Sequence, residues 1–196
     1  MKYFRPSQPG QTPWLVSLTE QERGWRCSAV IITSRHLLTT AQCVASLTSL
    51  NTTNITVLDY NLHQEDSNQF SVTAVKVTKH PAYSPSSSSS SPPLNDIAVL
   101  EISPRLDWRT GARPVCWGPS SPSSFSSSLV YTAWGPTQFG QSAVPQETFL
   151  PLTDSCQAQP GQLCVGPGSA GQQPCQVSHL TNINLANNNA RFSHFR

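Results

Sequence analysis

Apolar and β-branched residues come in short runs, each broken by turn residues. The runs are WLVSL (14–18), SAVIIT (28–33), HLLTT (36–40), NITVLDY (54–60), FSVTAVKVT (70–78), DIAVLEI (96–102), LVYTAWG (129–135) and QETFLPL (146–152). None exceeds strand length, and no stretch keeps helical periodicity beyond a turn or two. Many short strands with frequent turns predict an all-β barrel or sandwich.

Between these runs lie two low-complexity segments, SPSSSSSSPP (84–93) and GPSSPSSFSSS (118–128). Serine runs bury no apolar surface, so both are expected in solvent as sites for O-glycosylation. The second reads as a linker between two halves of the chain. From Val177 to Arg196 the character changes to an Asn-rich tail without turn logic and with no clear strand.

Composition narrows the field. The chain has 196 residues, 37% of them hydrophobic, which is enough to bury a core in one large domain or two small ones. A net charge of +2 without a basic stripe argues against nucleic acid or an anionic membrane as partner. No apolar stretch approaches the length of a membrane span. The opening MKYFRPSQPG has no apolar h-region and does not read as a secretory signal.

The six cysteines (Cys27, Cys43, Cys116, Cys156, Cys164 and Cys175) form no CxxC pair and have no neighbouring His cluster, which argues against zinc or any other metal. An even count in a Ser/Thr/Pro-rich chain reads as a disulfide framework made in an oxidising compartment. The sequons at Asn51 and Asn54 agree with an extracellular, glycosylated protein. That compartment and the absent signal conflict, unless the start is lost or misassigned, or the chain is the processed part of a precursor.

A family resemblance now comes into view. Pro13-Trp14-Leu15-Val16-Ser17-Leu18, Cys27-Ser28-Ala29-Val30-Ile31-Ile32 and Leu37-Leu38-Thr39-Thr40-Ala41-Gln42-Cys43 resemble the PWQVSL, CGGSLI and VLTAAHC motifs that open chymotrypsin/trypsin-like serine peptidases. Leu94-Asn95-Asp96-Ile97-Ala98-Val99-Leu100 resembles the NDIALL strand that carries the triad aspartate. Pro114-Val115-Cys116, Thr132-Ala133-Trp134-Gly135, Cys164-Val165-Gly166 and Cys175-Gln176 follow in the family's order. The resemblance covers roughly residues 10 to 176.

The resemblance implies an all-β, chymotrypsin-like double six-stranded antiparallel barrel with an active site in the cleft between the barrels. A first barrel at about 13–115 is expected complete, and a second at about 129–176 incomplete. Residues 1–176 would then be a truncated peptidase domain, and 177–196 an unrelated, disordered tail. By resemblance Cys27 pairs with Cys43, and Cys156 with Cys164, leaving Cys116 and Cys175 unpaired. A family cysteine is expected where Leu129 stands, and its partner would lie beyond residue 176.

The chemistry is where this chain departs from the family. In the Ser-His-Asp scheme an imidazole takes the serine proton and returns it to the leaving amine. Gln42 stands at that position, and an amide is not basic near neutral pH. Asp96 matches the triad aspartate but has no imidazole to orient. It is expected as a partly buried carboxylate that accepts hydrogen bonds, the Gln42 side-chain amide among the candidate donors. After Cys175-Gln176 the family's Gly-Asp-Ser-Gly-Gly-Pro is replaced by Val177-Ser178-His179-Leu180, which puts His179 at the nucleophile position. Ser178 is one residue early, a displacement that catalysis does not tolerate. His36, His63 and His80 match no triad position, and His63 and His80 are expected far from Gln42.

No triad position is therefore intact, and no cofactor is implied. The resemblance leads to an inactive, secreted serine protease homologue that acts by binding a protein partner or inhibitor. The alternative is a truncated or intron-retaining product of a serine endopeptidase gene. Gln176-Val177-Ser178 can be encoded by CAG-GTG-AGT, a splice-donor consensus, so residues 177–196 are expected to be translated intron ending at a chance stop codon.

Overall fold

The computed structural model describes residues 4–21, 23–85, 93–116, 128–137, 140–153, 165–166 and 182–184. Six strands close into a barrel. They are β2 (Leu15–Glu20), β3 (Gly24–Thr33), β4 (His36–Thr39), β5 (Thr53–Val57), β6 (Phe70–Lys79) and β7 (Ala98–Ser103). They follow the order β2-β3-β4-β7-β6-β5, every pairing antiparallel.

The two-residue period of a strand explains the interior. Val16 and Leu18 of β2, Cys27, Ala29 and Ile31 of β3, Leu37 of β4, Ile55 and Val57 of β5, Val72 and Ala74 of β6, and Leu100 and Ile102 of β7 meet in one core. Breaks in register at Leu18/Thr19, Ile31/Thr33 and Ala74/Lys76 bend the strands around it. Among the described residues one α-helix, α1 (Ala41–Ser46), leaves the end of β4. The barrel lies in a compact unit built mainly of Gln8–Val115.

A second unit holds a four-stranded sheet of order β1-β9-β8-β10. Its strands are β1 (Arg5–Pro6), β8 (Ser128–Thr137), β9 (Gly140–Pro151) and β10 (Asn182–Asn184). A long β8–β9 hairpin is its body, with Leu129, Ala133, Trp134 and Leu150 buried. The position expected for a family cysteine is filled by fully buried Leu129, whose burial there contributes about 2 kcal/mol. The fold is thus the expected one: a closed six-stranded barrel and a second, incomplete sheet.

Two strands depart from the sequence expectations. Arg5–Pro6 pairs with Glu147 and Gln146 of β9, although two residues, one of them proline, carry no strand pattern. The tail, expected without a strand, pairs Asn182–Asn184 with Thr132, Tyr131 and Val130 of β8. The open ladder edge of β8 provides the unpaired N–H and C=O groups that this backbone satisfies.

Candidate functional site

The motif residues converge at the end of β4. Thr40 caps α1, its hydroxyl accepting from the Cys43 N–H at 2.9 Å. A disulfide from Cys43 to Cys27 ties the same helix to β3, closing a loop with a sequence separation of 16. Gln42 is therefore held from both sides, as the second residue of a short, fixed helix.

Asp96 arrives from the opposite direction, two residues ahead of β7. Asn95 adopts a left-handed conformation with φ of 52°, and its side-chain amide donates to the Ala82 carbonyl at 2.9 Å. Asparagine tolerates that conformation better than most residues. The bend it makes turns Asp96 towards α1. One carboxylate oxygen accepts the Gln42 main-chain N–H at 2.7 Å, and the Ala41 N–H also hydrogen-bonds the carboxylate.

This corrects the expectation that the Gln42 side-chain amide is a donor to Asp96. The first N–H groups of a helix have no partner within it, and Asp96 satisfies two of them. The Gln42 side-chain carbonyl oxygen is instead buried without a hydrogen-bond donor. Burial raises the Asp96 carboxyl above the usual carboxylate range, opposed by the two main-chain bonds. Burial also raises the Tyr83 phenol, and the nearby charge of Asp96 adds to that.

His80 stands just after β6: the antiparallel β6–β7 ladder brings Lys79 opposite Ala98, and the His80 N–H donates to the Ile97 carbonyl at 3.0 Å. His80 is thus beside Asp96 in the backbone, although its ring Nδ1 accepts from the Ala82 N–H at 3.1 Å. His36 bonds the Thr33 hydroxyl at 2.8 Å, and exposed His63 lies in the loop after β5.

Tyr83 escaped the sequence reading because its approach to Asp96 depends on pairing across the serine-rich segment. The Ser84–Leu94 bridge closes the base of that segment. His179 and Ser178 lie outside the described residues, as do Cys156, Cys164 and Cys175. Cys116 is described, exposed and free. Asn51 and Asn54 are both exposed. No group of His, Cys, Asp and Glu among the described residues could hold a metal ion.

Comparison with known proteins places this geometry. The family model described as Trypsin matches residues 3–177. The chain belongs to the trypsin family. This family is one of serine endopeptidases. Mouse (Mus musculus) ovochymase-2 is 27% identical over 185 residues, covering 86% of this chain and 29% of that protein. The proclotting enzyme of Tachypleus tridentatus is 28% identical over 200 residues, covering 88% of the chain and 51% of that protein. This trypsin-family chain thus spans about a third to a half of these relatives. Among solved structures, human heparin binding protein superposes with a TM-score of 0.68 at 20% identity, covering 83% of this chain and 70% of that one. That likeness is one of fold.

Proposed function

We propose that this trypsin-family chain does not cleave peptide bonds and acts outside the cell by binding another protein, as a partner or inhibitor. The observation that carries the reading is Gln42, which by resemblance to the family stands in place of the general base, on a helix held by the disulfide and the Thr40 cap. An amide there has no proton-accepting nitrogen. In subtilisin, loss of the corresponding histidine costs about 10⁶ in kcat. Asp96 has its carboxylate turned onto the helix amides, a structural task that explains its presence without catalysis.

Turnover of a panel of chromogenic peptides, together with labelling by a fluorophosphonate serine probe, tests the reading. No turnover above background and no label are expected, and stoichiometric labelling of the purified chain overturns it. Gln42→His alone restores nothing, because Val177-Ser178-His179 stands where the family has Gly-Asp-Ser.

The Cys27–Cys43 disulfide supports an oxidising compartment. The same proposal carries glycans on Asn51 and Asn54, a Cys156–Cys164 bridge, and thiols at Cys116 and Cys175. Intact-mass measurement of the expressed protein before and after glycosidase and alkylation checks these together, and an unglycosylated chain with six free thiols contradicts them. No helix among the described residues is long and apolar enough to cross a membrane.

A second reading, favoured by the family match ending at residue 177, is that the residues after it are translated intron. Genomic DNA decides: a splice donor straddling codons 176 and 177 supports it, and a plain frameshift of the Gly-Asp-Ser motif refutes it.

A further inference from the structure

β1 belongs to a different unit from the chain that follows it. Up to Ser7 the described chain groups with the second unit, and from Gln8 it belongs to the barrel unit. The barrel closes among β2 to β7 without β1. The connection is the exposed run Gln8–Gln11. There the Gln11 N–H donates to the Gln8 carbonyl at 3.0 Å, and the Gln8 N–H to the Gln11 side-chain oxygen at 2.8 Å. Gly10 holds a φ of 75° in this turn with open space around it. Rearranging the turn therefore uncovers no buried side chain.

Little main chain holds β1 in place. Arg5 and Pro6 pair with Glu147 and Gln146 of β9, and the Ser7 N–H donates to the Pro145 carbonyl at 2.9 Å. Proline brings no N–H of its own to this ladder. The charge matters more. The Glu147 side chain is 5% exposed, and its carboxylate accepts from Arg5 Nε at 2.6 Å and lies 2.5 Å from Arg5 Nη2. The same guanidinium stands 6.0 Å from the centre of the half-exposed Phe149 ring, two residues further along β9. A carboxylate this far out of water is strongly destabilised when its cation leaves. Glu147 thus requires a cation at the β9 edge, but not one from its own chain.

We propose that β1 is exchangeable between copies of this chain, the β9 edge around Glu147 receiving Arg5–Ser7 of a second copy. Every copy carries the fitting occupant: an arginine in register with Glu147, then a proline that asks for no acceptor. In a two-fold exchange each copy gives one Arg5 and receives one, so charge complementarity is met at both edges. The contacts of β1 stay the same, and only the Gln8–Gln11 turn changes. The nearness of its own strand favours the closed monomer, and the exchanged dimer rises with concentration. Neither Gln42 nor Asp96 takes part, so the inference stands or falls apart from the non-cleaving reading.

The test mixes two full-length variants, Arg5→Glu and Glu147→Arg. Within either chain alone, positions 5 and 147 carry like charges. In an exchanged pair of the two variants, each position 5 faces the opposite charge. Native mass spectrometry of the mixture is expected to show a heterodimer at least about tenfold more abundant than either homodimer. The Arg5→Glu, Glu147→Arg double variant is expected to return to the monomer–dimer balance of the parent. A mixture that stays monomeric, or homodimers as abundant as the heterodimer, overturns the exchange. If Glu147→Arg fails to fold, amide NMR on Arg5→Glu decides, titrated with the peptide Phe-Arg-Pro-Ser-Gln and with its citrulline analogue, a neutral isostere. The arginine peptide is expected to shift the Gln146 and Glu147 amides saturably, with an affinity at least about tenfold above that of the analogue. No saturable shift, or equal affinity for the two peptides, overturns it.

Discussion

At the residue scale, Asp96 ties the chain ahead of β7 to the start of α1. Its carboxylate satisfies main-chain N–H groups of Ala41 and Gln42 at the start of α1. Asp96→Ala removes both bonds, and a loss of about 1–2 kcal/mol is expected by denaturant unfolding. Asp96→Asn keeps an acceptor oxygen and is expected to cost less. The pH dependence separates the two effects. Burial raises the carboxyl in the folded state, so the native chain binds this proton more tightly than the unfolded chain. The contribution of Asp96 to stability therefore declines as pH rises from about 4 through its folded value. Asp59 has the same sign, raised by burial against its bond from the Ser17 hydroxyl, with the charge of Asp66 adding to the rise. Subtracting the Asp96→Asn stability profile from that of the parent should leave a difference that shrinks in this direction. A difference independent of pH would mean that Asp96 is not perturbed.

At the level of elements, strands were legible where apolar runs were long enough to show them, and illegible where they were not. All eight runs read from the sequence appear in β2 to β9, and the turn residues between them mark the breaks. β1 was invisible because its two residues contribute backbone pairing and one ion pair rather than an apolar face. Helix α1 was hidden for a related reason: six residues are too few for periodicity, and a cap and a disulfide hold it instead. Gln42 and Asp96 were legible as motif positions, but which atoms join them depends on helix geometry that a motif does not encode. The β1 ion pair is testable in its own right. The Arg5 guanidinium donates to Glu147 at 2.6 Å, and the Glu147 side chain is 5% exposed against 65% for Arg5. Most of the desolvation cost therefore falls on the carboxylate, and losing its partner is costly although the arginine itself is mostly in water. Arg5→Ala is expected to lower stability by about 1–3 kcal/mol. It should also speed hydrogen exchange of the Ser7 amide, which donates to Pro145 on β9. Arg5→Met with Glu147→Leu should recover most of the loss, and failure to do so would show that the pair is not what holds β1.

At the scale of the whole molecule the two units differ in how they treat their edges, and that difference predicts how each withstands attack. In the barrel every strand has two neighbours, so no ladder edge is offered and the core is enclosed on all sides. The Cys27–Cys43 bridge adds to this by restricting the unfolded chain, a contribution of about 3 kcal/mol for a loop of this length. The second sheet ends on strands of two and three residues, β1 and β10, against neighbours of 12 and 10. Most of the outer edges of β9 and β8 therefore lack a strand partner among the described residues, and Phe149 is 51% exposed on β9. Local opening is drawn from such low-protection regions, whereas the barrel opens only with global unfolding. Limited digestion with a protease of broad specificity is therefore expected to degrade β8 and β9 first. It should leave a resistant fragment within Gln8–Val115 that retains the Cys27–Cys43 bridge by mass spectrometry. Reduction before digestion should shorten the lifetime of that fragment. Equal resistance of residues 129–151 and the barrel would refute this ordering, and would show that the short edge strands protect the sheet as fully as closure protects the barrel.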